Sequence, residues 1–160
     1  MLIPTFKILT GVLIPNLAGI KVNSFRKEHL TEIQQLKLMK QPLIAIPWSM
    51  EKYIWPALHT SIGYASYLVY KEGGGFKGSA QLPLLSYASH LAVSACWTNE
   101  PLKWSIFQMF IATSTAAFTS CQFFDVCPRA ACMFFPYILW LTYYIYYLLY
   151  LEKINVSEDL

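Results

Sequence analysis

Charged residues divide this chain into long uncharged stretches. Four stretches contain no Asp, Glu, Lys or Arg: residues 53–70, 78–99, 104–124 and 130–151, of 18, 22, 21 and 22 residues. The hydrocarbon core of a bilayer is about 30 Å thick and a helix rises about 1.5 Å per residue, so about 20 residues cross it. The spacing therefore predicts four membrane-spanning helices.

The apolar N-terminal stretch, residues 2–20, is interrupted by Lys7. It is either a signal peptide or a first spanning helix. No small-x-small cleavage site follows it, and a lysine near a helix end can reach the lipid headgroups, so we favour a helix. The chain is thus predicted to be an all-α, single-domain integral membrane bundle of five transmembrane helices, at about 4–23, 47–70, 80–98, 103–124 and 130–151.

Two connections between the predicted helices are distinctive. The first, residues 24–46, is polar, with apolar residues near helical spacing, and is either an interfacial helix or an ordered loop without regular structure. The glycines at 73–75 predict a flexible turn. They do not belong to a phosphate-binding motif, because no G-x-x-x-x-G-K pattern is present.

Composition and charge agree with a membrane protein. The chain is 56% apolar and 13% charged, whereas soluble domains carry about 25% charged residues. A net charge of +3 is too weak to predict a nucleic-acid partner. With five spans, seven basic residues lie on the side of the C-terminus and four on the other, leaving out Lys52, which lies at a span boundary. Because positive charge favours the cytoplasmic side, we expect a cytosolic C-terminus.

Small residues recur at every fourth position in two of the predicted spans. They are Ala112, Ala116 and Ser120 in one span, and Ala88, Ala92 and Cys96 in the other. Such faces let helix backbones approach closely in lipid, so both are predicted to be packing seams. The four cysteines have neither C-x-x-C nor repeated metal-ligand spacing and are interpreted as reduced packing residues.

The last predicted span is unusually aromatic. Tyr137, Trp140, Tyr144 and Tyr147 follow one another at i, i+3, i+7 and i+10, which places them on one helix face. Buried phenol groups need hydrogen-bond partners, so this face either lines a pocket or packs within the bundle. The pattern alone leaves both interpretations open.

Two histidines, His59 and His90, lie within predicted spans. An ionisable residue inside a membrane is a functional candidate. Without spaced His, Cys or carboxylate partners, however, a hydrogen-bonded core histidine is favoured over a haem ligand. No Ser/His/Asp set or spaced carboxylate pair predicts an active site. Near the C-terminus, Leu148, Tyr150 and Lys153 fit a sterol-binding pattern in which an aliphatic residue, a ring and a cation contact the sterol.

Several motifs share their order and spacing with one known family. The stretch 55–76 reads WPALHTSIGYASYLVYKEGGGF, residues 82–84 read LPL, residues 126–131 read VCPRAA and residues 136–140 read PYILW. Together they resemble the translocator protein family, also called peripheral-type benzodiazepine receptors or tryptophan-rich sensory proteins. The resemblance covers nearly the whole chain.

The resemblance implies a five-helix bundle whose pocket binds flat hydrophobic ligands. These are cholesterol or other sterols, tetrapyrroles such as porphyrin or haem, and benzodiazepine-type drugs, with a role in sterol or tetrapyrrole transport. It implies no enzymatic activity and no resident cofactor. The residues expected to bind ligand are Trp55, His59, Trp97, Trp104, Ile111, Tyr137, Trp140, Tyr144 and Tyr147, and those expected to bind sterol are Leu148, Tyr150 and Lys153.

This chain departs from the family pattern at several positions. Cys132 replaces an arginine, and Ser94 and Ala95 replace the first two residues of an N-W-x-W motif. Tyr144 and Tyr147 stand where the family usually has smaller or aliphatic residues, so we expect them to narrow the drug pocket.

Two rival functions follow from the resemblance and the loop pattern. One is an enzyme that oxidatively breaks down protoporphyrin, with the tryptophans as redox partners. The other is a membrane scaffold that recruits partners through residues 24–46. The expected location is the mitochondrial outer membrane, with the endoplasmic reticulum or plasma membrane as alternatives. The expected associations are with the lipid bilayer and with a second copy in a homodimer.

Overall fold

The computed structural model describes residues 42, 44–95 and 102–156. These residues form helices α1 (Trp48–Glu72), α2 (Gln81–Ala95), α3 (Leu102–Phe124), α4 (Pro128–Cys132) and α5 (Phe135–Val156), with a 3₁₀ turn at Gly75–Lys77. This part of the chain contains no strand, which confirms the all-α prediction there. The predicted helix 4–23, nearly all of the connection 24–46, and the predicted site residue Trp97 lie outside the described residues.

The three longest helices have the dimensions of membrane spans. Helices α1, α3 and α5 contain 25, 23 and 22 residues, which corresponds to about 38, 35 and 33 Å. Within the described residues, one helical stretch, Pro128–Ile154, is both long and apolar enough to cross a membrane, with a mean hydropathy of 1.4. Helices α1 and α3 are poor in charge but contain many Ser, Thr, Tyr and Trp residues. Their hydropathy is therefore lower, and the five-span arrangement stays a prediction.

Helix α3 occupies the centre of the described bundle, where it packs against α2 on one side and α5 on another. Its small residues Ala112 and Ala116 are buried, so the packing seam predicted for this helix is confirmed. Of the seam predicted for α2, Ala88 and Ala92 are exposed within the described bundle and Cys96 lies outside the described residues, so this seam stays a prediction. Helix α2 directs Tyr87 and His90 inward instead.

The predicted helix 130–151 is interrupted near its beginning. Helix α4 ends at Cys132, and α5 begins at Phe135. Pro136 has no backbone N–H and therefore cannot continue the helical hydrogen bonds of the preceding turn. Hydroxyl groups from neighbouring helices serve the irregular backbone: Ser120 Oγ donates to the Ala131 carbonyl (3.2 Å), and Ser61 Oγ donates to the Met133 carbonyl (3.3 Å).

The glycine turn after α1 combines a left-handed backbone conformation with close packing against α2. Gly74 and Gly75 have φ values of 74° and 77°, in the left-handed region that favours glycine. Gly73 is buried, and a Cβ atom placed there would lie 2.6 Å from the Cβ of Ala80. Because Gly73 has no side chain, the backbone at the end of α1 can pack directly against Ala80 at the beginning of α2.

We expect Gly73→Ala to destabilise the protein by about 1–3 kcal/mol, because the new methyl group overpacks the contact with Ala80. The measurement is thermal loss of helical circular dichroism in detergent, with the exposed Ser79→Ala as the matched control. Equal melting curves for the two variants would contradict the close packing of this turn.

Candidate functional site

Aromatic rings from α1 and α5 meet in the interior of the bundle. The indole of Trp55 stacks on the imidazole of His59, with ring centroids 5.7 Å apart and an interplanar angle of 23°. The rings of Trp140 and Tyr144 each meet the ring of Trp55 in an edge-to-face arrangement, with ring centroids 6.0 Å apart. The ring of Tyr137 lies 5.9 Å from His59. We call these five residues, together with Tyr147, the aromatic cluster.

Helical periodicity explains why these rings converge. Trp55 and His59 are one turn apart on α1 and project from the same side. On α5, the predicted face of Tyr137, Trp140, Tyr144 and Tyr147 is buried. The intervening Tyr146 is 48% exposed. The single aromatic face predicted from the sequence is therefore confirmed, and it faces the interior of the protein.

A chain of hydrogen bonds connects α2, α3 and α5 through His90. The Thr115 hydroxyl donates to the carbonyls of Ile111 and Ala112, both at 3.0 Å. The Thr115 oxygen can therefore accept from Nδ1–H of a neutral His90, 3.0 Å away. Nε2 of His90 then accepts from the hydroxyl of Tyr137 at 3.1 Å. Both ring nitrogens are satisfied, which is the hydrogen-bonded core histidine predicted for this position.

His59 is bound differently. Its Nδ1 lies 2.9 Å from the backbone carbonyl oxygen of Trp55. Because a carbonyl oxygen only accepts, Nδ1 must carry the proton, and in the neutral ring Nε2 keeps its lone pair. His59 is also partly exposed, whereas His90 is fully buried. The sequence led to the same interpretation for both histidines, whereas the structure gives them different hydrogen bonds and different exposure.

Trp140 is, after His59, the second residue of the aromatic cluster with a polar ring atom that has no hydrogen-bond partner among the described residues. Its side chain is buried, and its indole Nε1–H has no hydrogen-bond acceptor within the described part of the chain. A buried indole N–H normally has a partner, and leaving one unpaired costs about 1–3 kcal/mol. A ligand oxygen placed beside Trp140 would remove that cost.

Two residues expected to bind ligand lie away from the rings of the aromatic cluster. Trp104 is 46% exposed, and its ring contacts Phe107 of its own helix at 5.3 Å. Ile111 is 37% exposed on the same helix, α3. The common site was expected from the family resemblance, which was carried over position by position and did not say which side of α3 faces the bundle interior.

The three residues of the sterol pattern do not share one face of α5. Leu148 is buried in the core, whereas Tyr150 is only partly buried and Lys153 is exposed. Residues two apart on a helix point about 200° away from each other, so Leu148 and Tyr150 occupy opposite sides. The ring of Tyr150 lies beside that of Tyr146, 6.3 Å away.

Sequence reasoning did not identify the partners of Tyr143. Its hydroxyl oxygen accepts from the backbone N–H of Ile46 at 2.9 Å, and its O–H donates to the carbonyl of Ile44 at 3.1 Å. These bonds hold the segment before α1 against α5, next to Trp140, whose ring is 5.3 Å from that of Tyr143. The tyrosine-rich run was visible in the sequence, but its partners lie almost 100 residues away.

The described residues form an all-helical bundle with a buried aromatic cluster and one helical stretch, Pro128–Ile154, that is long and apolar enough to cross a membrane. The TspO/MBR family model matches residues 11–153. The chain is a member of the TspO/MBR family.

Named relatives agree with this assignment. The chain is 33% identical to the translocator protein of Bos taurus over 106 residues, covering 61% of this chain and 63% of the relative. It is 34% identical to that of Homo sapiens over 95 residues, 56% of each chain. It is 29% identical to translocator protein 2 of Canis lupus familiaris over 137 residues, covering 82% of this chain and 78% of the relative. The matched segment thus spans less than two thirds of the bovine and human relatives.

We expect Tyr137→Phe to destabilise the protein by about 1–3 kcal/mol, because Nε2 of the buried His90 loses its donor. The measurement is thermal unfolding in detergent. Tyr146→Phe, which removes a hydroxyl from an exposed tyrosine of the same helix, is the control. If both variants melt at the wild-type temperature, the Tyr137–His90 bond does not contribute to stability.

Proposed function

We propose that this chain is a non-enzymatic membrane receptor or carrier for flat hydrophobic ligands of the sterol and tetrapyrrole classes. Family membership supports this class of ligand. The observation that carries the proposal is the aromatic cluster with its unpaired Trp140 Nε1–H. Rings supply stacking surface, and one donor inside an apolar site orients a ligand that carries an oxygen.

The two sides of the cluster have different parts in this proposal. Trp55 and His59 on α1 are partly exposed and present accessible ring surface. The tyrosines of α5 are buried, and Tyr144 contacts both Trp55 and Tyr147 at 6.0 and 5.8 Å. These rings fill space beside Trp55, which supports the expectation of a narrowed pocket.

We expect the double variant Trp55→Ala, Trp140→Ala to bind protoporphyrin IX at least about tenfold more weakly than the wild type, since stacked rings contribute about 0.5–1.5 kcal/mol each beyond their buried area. Binding is measured from porphyrin absorbance in detergent, because both substitutions remove tryptophan fluorescence.

Trp104→Ala is the matched control, since it removes an exposed tryptophan of α3 and should leave binding unchanged. Equal affinities for the double variant and wild type would exclude the aromatic cluster as the porphyrin site. The appearance of a new, light-dependent, bilin-like absorbance would favour the rival enzymatic function, oxidative breakdown of protoporphyrin.

For sterols we propose a second contact on the outer side of α5, formed by Tyr150 and Lys153. Tyr150 supplies a partly exposed ring, and Lys153, one turn further, supplies a cation at the end of the helix. Leu148 is buried on the opposite side and is therefore left out of this contact, although it matches the sequence pattern.

Tyr150→Ser should lower photolabelling by a cholesterol probe several-fold in reconstituted vesicles, because the ring that would contact the sterol is removed. Tyr146→Ser changes an exposed tyrosine one turn earlier and is the control. Labelling that falls only in the Tyr146 variant, or in neither variant, would refute this contact.

We further propose the five-span topology with a cytosolic C-terminus, in the mitochondrial outer membrane. The ion pair between Lys103 Nζ and Glu152 Oε1, 4.0 Å apart, joins the beginning of α3 to the end of α5. This contact supports an arrangement in which the third connection and the C-terminus share one side of the membrane, as alternating spans require.

A further inference from the structure

The sequence contains two histidines within predicted spans, and their hydrogen bonds give them different chemistry. His90 uses both ring nitrogens within the protein, in bonds to Thr115 and Tyr137. His59 uses only Nδ1, which donates to the Trp55 carbonyl. Among the described residues, Nε2 of His59 has no hydrogen-bond partner. A nitrogen lone pair on a partly exposed ring in an apolar environment is available to a ligand.

The bond from Nδ1 to the Trp55 carbonyl is the arrangement that metal-binding histidines use. Such histidines almost always donate the other ring N–H to a carbonyl, carboxylate or water, which fixes the tautomer and the ring orientation. At His59 the ring is held a second time, because it stacks on Trp55 at 5.7 Å. The imidazole is therefore preorganised with Nε2 as its coordinating atom.

The surroundings of His59 distinguish between a metal ion and a metal complex. A bare zinc ion takes three or four protein ligands, and the described residues contain no group of three His, Cys, Asp or Glu that could provide them. A metalloporphyrin brings four ring nitrogens of its own and needs one axial ligand from the protein. One histidine beside stacked aromatic rings suits the metalloporphyrin.

We propose that His59 Nε2 is an axial ligand to the metal of a bound metalloporphyrin, so that this chain prefers metallated over metal-free porphyrins. The proposal rests on the proposed function, tetrapyrrole binding at the aromatic cluster, and adds a preference for the metallated form. The lone pair of Nε2 lies in the plane of the imidazole, and Trp55 is nearly parallel to that plane (23°). The ring that offers a stacking face to the coordinated porphyrin is therefore Trp140, which is nearly perpendicular to Trp55 (87°). Stacking on Trp140 holds both forms of the porphyrin, whereas the coordinate bond to His59 holds only the metallated form.

The experiment compares zinc protoporphyrin IX with metal-free protoporphyrin IX, titrated by absorbance into the full-length chain in detergent. His59→Phe keeps a ring at this position and removes the ligand atom. We expect it to bind the zinc porphyrin at least about tenfold more weakly, since even losing the groups that orient a metal-bound histidine costs 10- to 100-fold in metal affinity. Its affinity for the metal-free porphyrin should stay within about twofold of wild type, because stacking is retained.

Two further samples control for misfolding and for other histidines. In His59→Ala, imidazole should restore the red-shifted absorption band of the axially ligated zinc porphyrin at concentrations that leave the spectrum of zinc protoporphyrin IX in detergent without protein unchanged; a misfolded protein would not show this. His29→Ala should behave as wild type. If His29→Ala loses that band instead of His59→Phe, the assignment to His59 is refuted.

The remaining outcomes separate this proposal from the proposed function. If the wild type binds both porphyrins with equal affinity, and His59→Phe does not change either affinity, the axial ligand is refuted while tetrapyrrole binding stands. If neither porphyrin binds the wild type, tetrapyrrole binding fails, and the axial ligand fails with it.

Discussion

A polar group buried among membrane helices must find its partner inside the protein, because hydrocarbon offers none. This constraint explains much of the described bundle. His90 is satisfied by Thr115 and Tyr137, which connects α2 to α3 and α5. The irregular backbone between α4 and α5 is served by hydroxyls from Ser61 and Ser120. Polar side chains that looked scattered in the sequence therefore act as links between helices.

The same constraint makes its exceptions informative. Nε1–H of Trp140 and Nε2 of His59 belong to one aromatic cluster, and neither has a hydrogen-bond partner among the described residues. One is a donor and the other is an acceptor or metal ligand. The hydroxyls of Tyr87 and Ser94 on α2 are also buried without a hydrogen-bond partner among the described residues. Trp140 Nε1–H and His59 Nε2 differ from them in belonging to the rings around Trp55, where a ligand can complete the bonding.

Several features of the fold and the candidate site could be predicted from local patterns. Uncharged stretches predicted helices with boundaries close to those of α1 and α3, whereas α5 begins and ends five residues later than the predicted 130–151. The spacing of Tyr137, Trp140, Tyr144 and Tyr147 predicted one face because helical geometry depends only on sequence separation. A comparable spacing placed Ala88 and Ala92 on one face of α2, and that face is exposed in the described bundle. Periodicity groups residues by face but does not say which face is buried.

The sequence by itself determined that the described part of the chain is helical, which residues share a helix face, and to which family the chain belongs, since each of these depends on residue order and spacing. Only the tertiary structure decided that His90 is saturated while His59 has an open nitrogen, and that Trp104 lies apart from Trp55 and Trp140. The physical reason is that hydrogen bonds and ring contacts between helices join residues that are distant in the chain, so their pairing follows from how the helices pack.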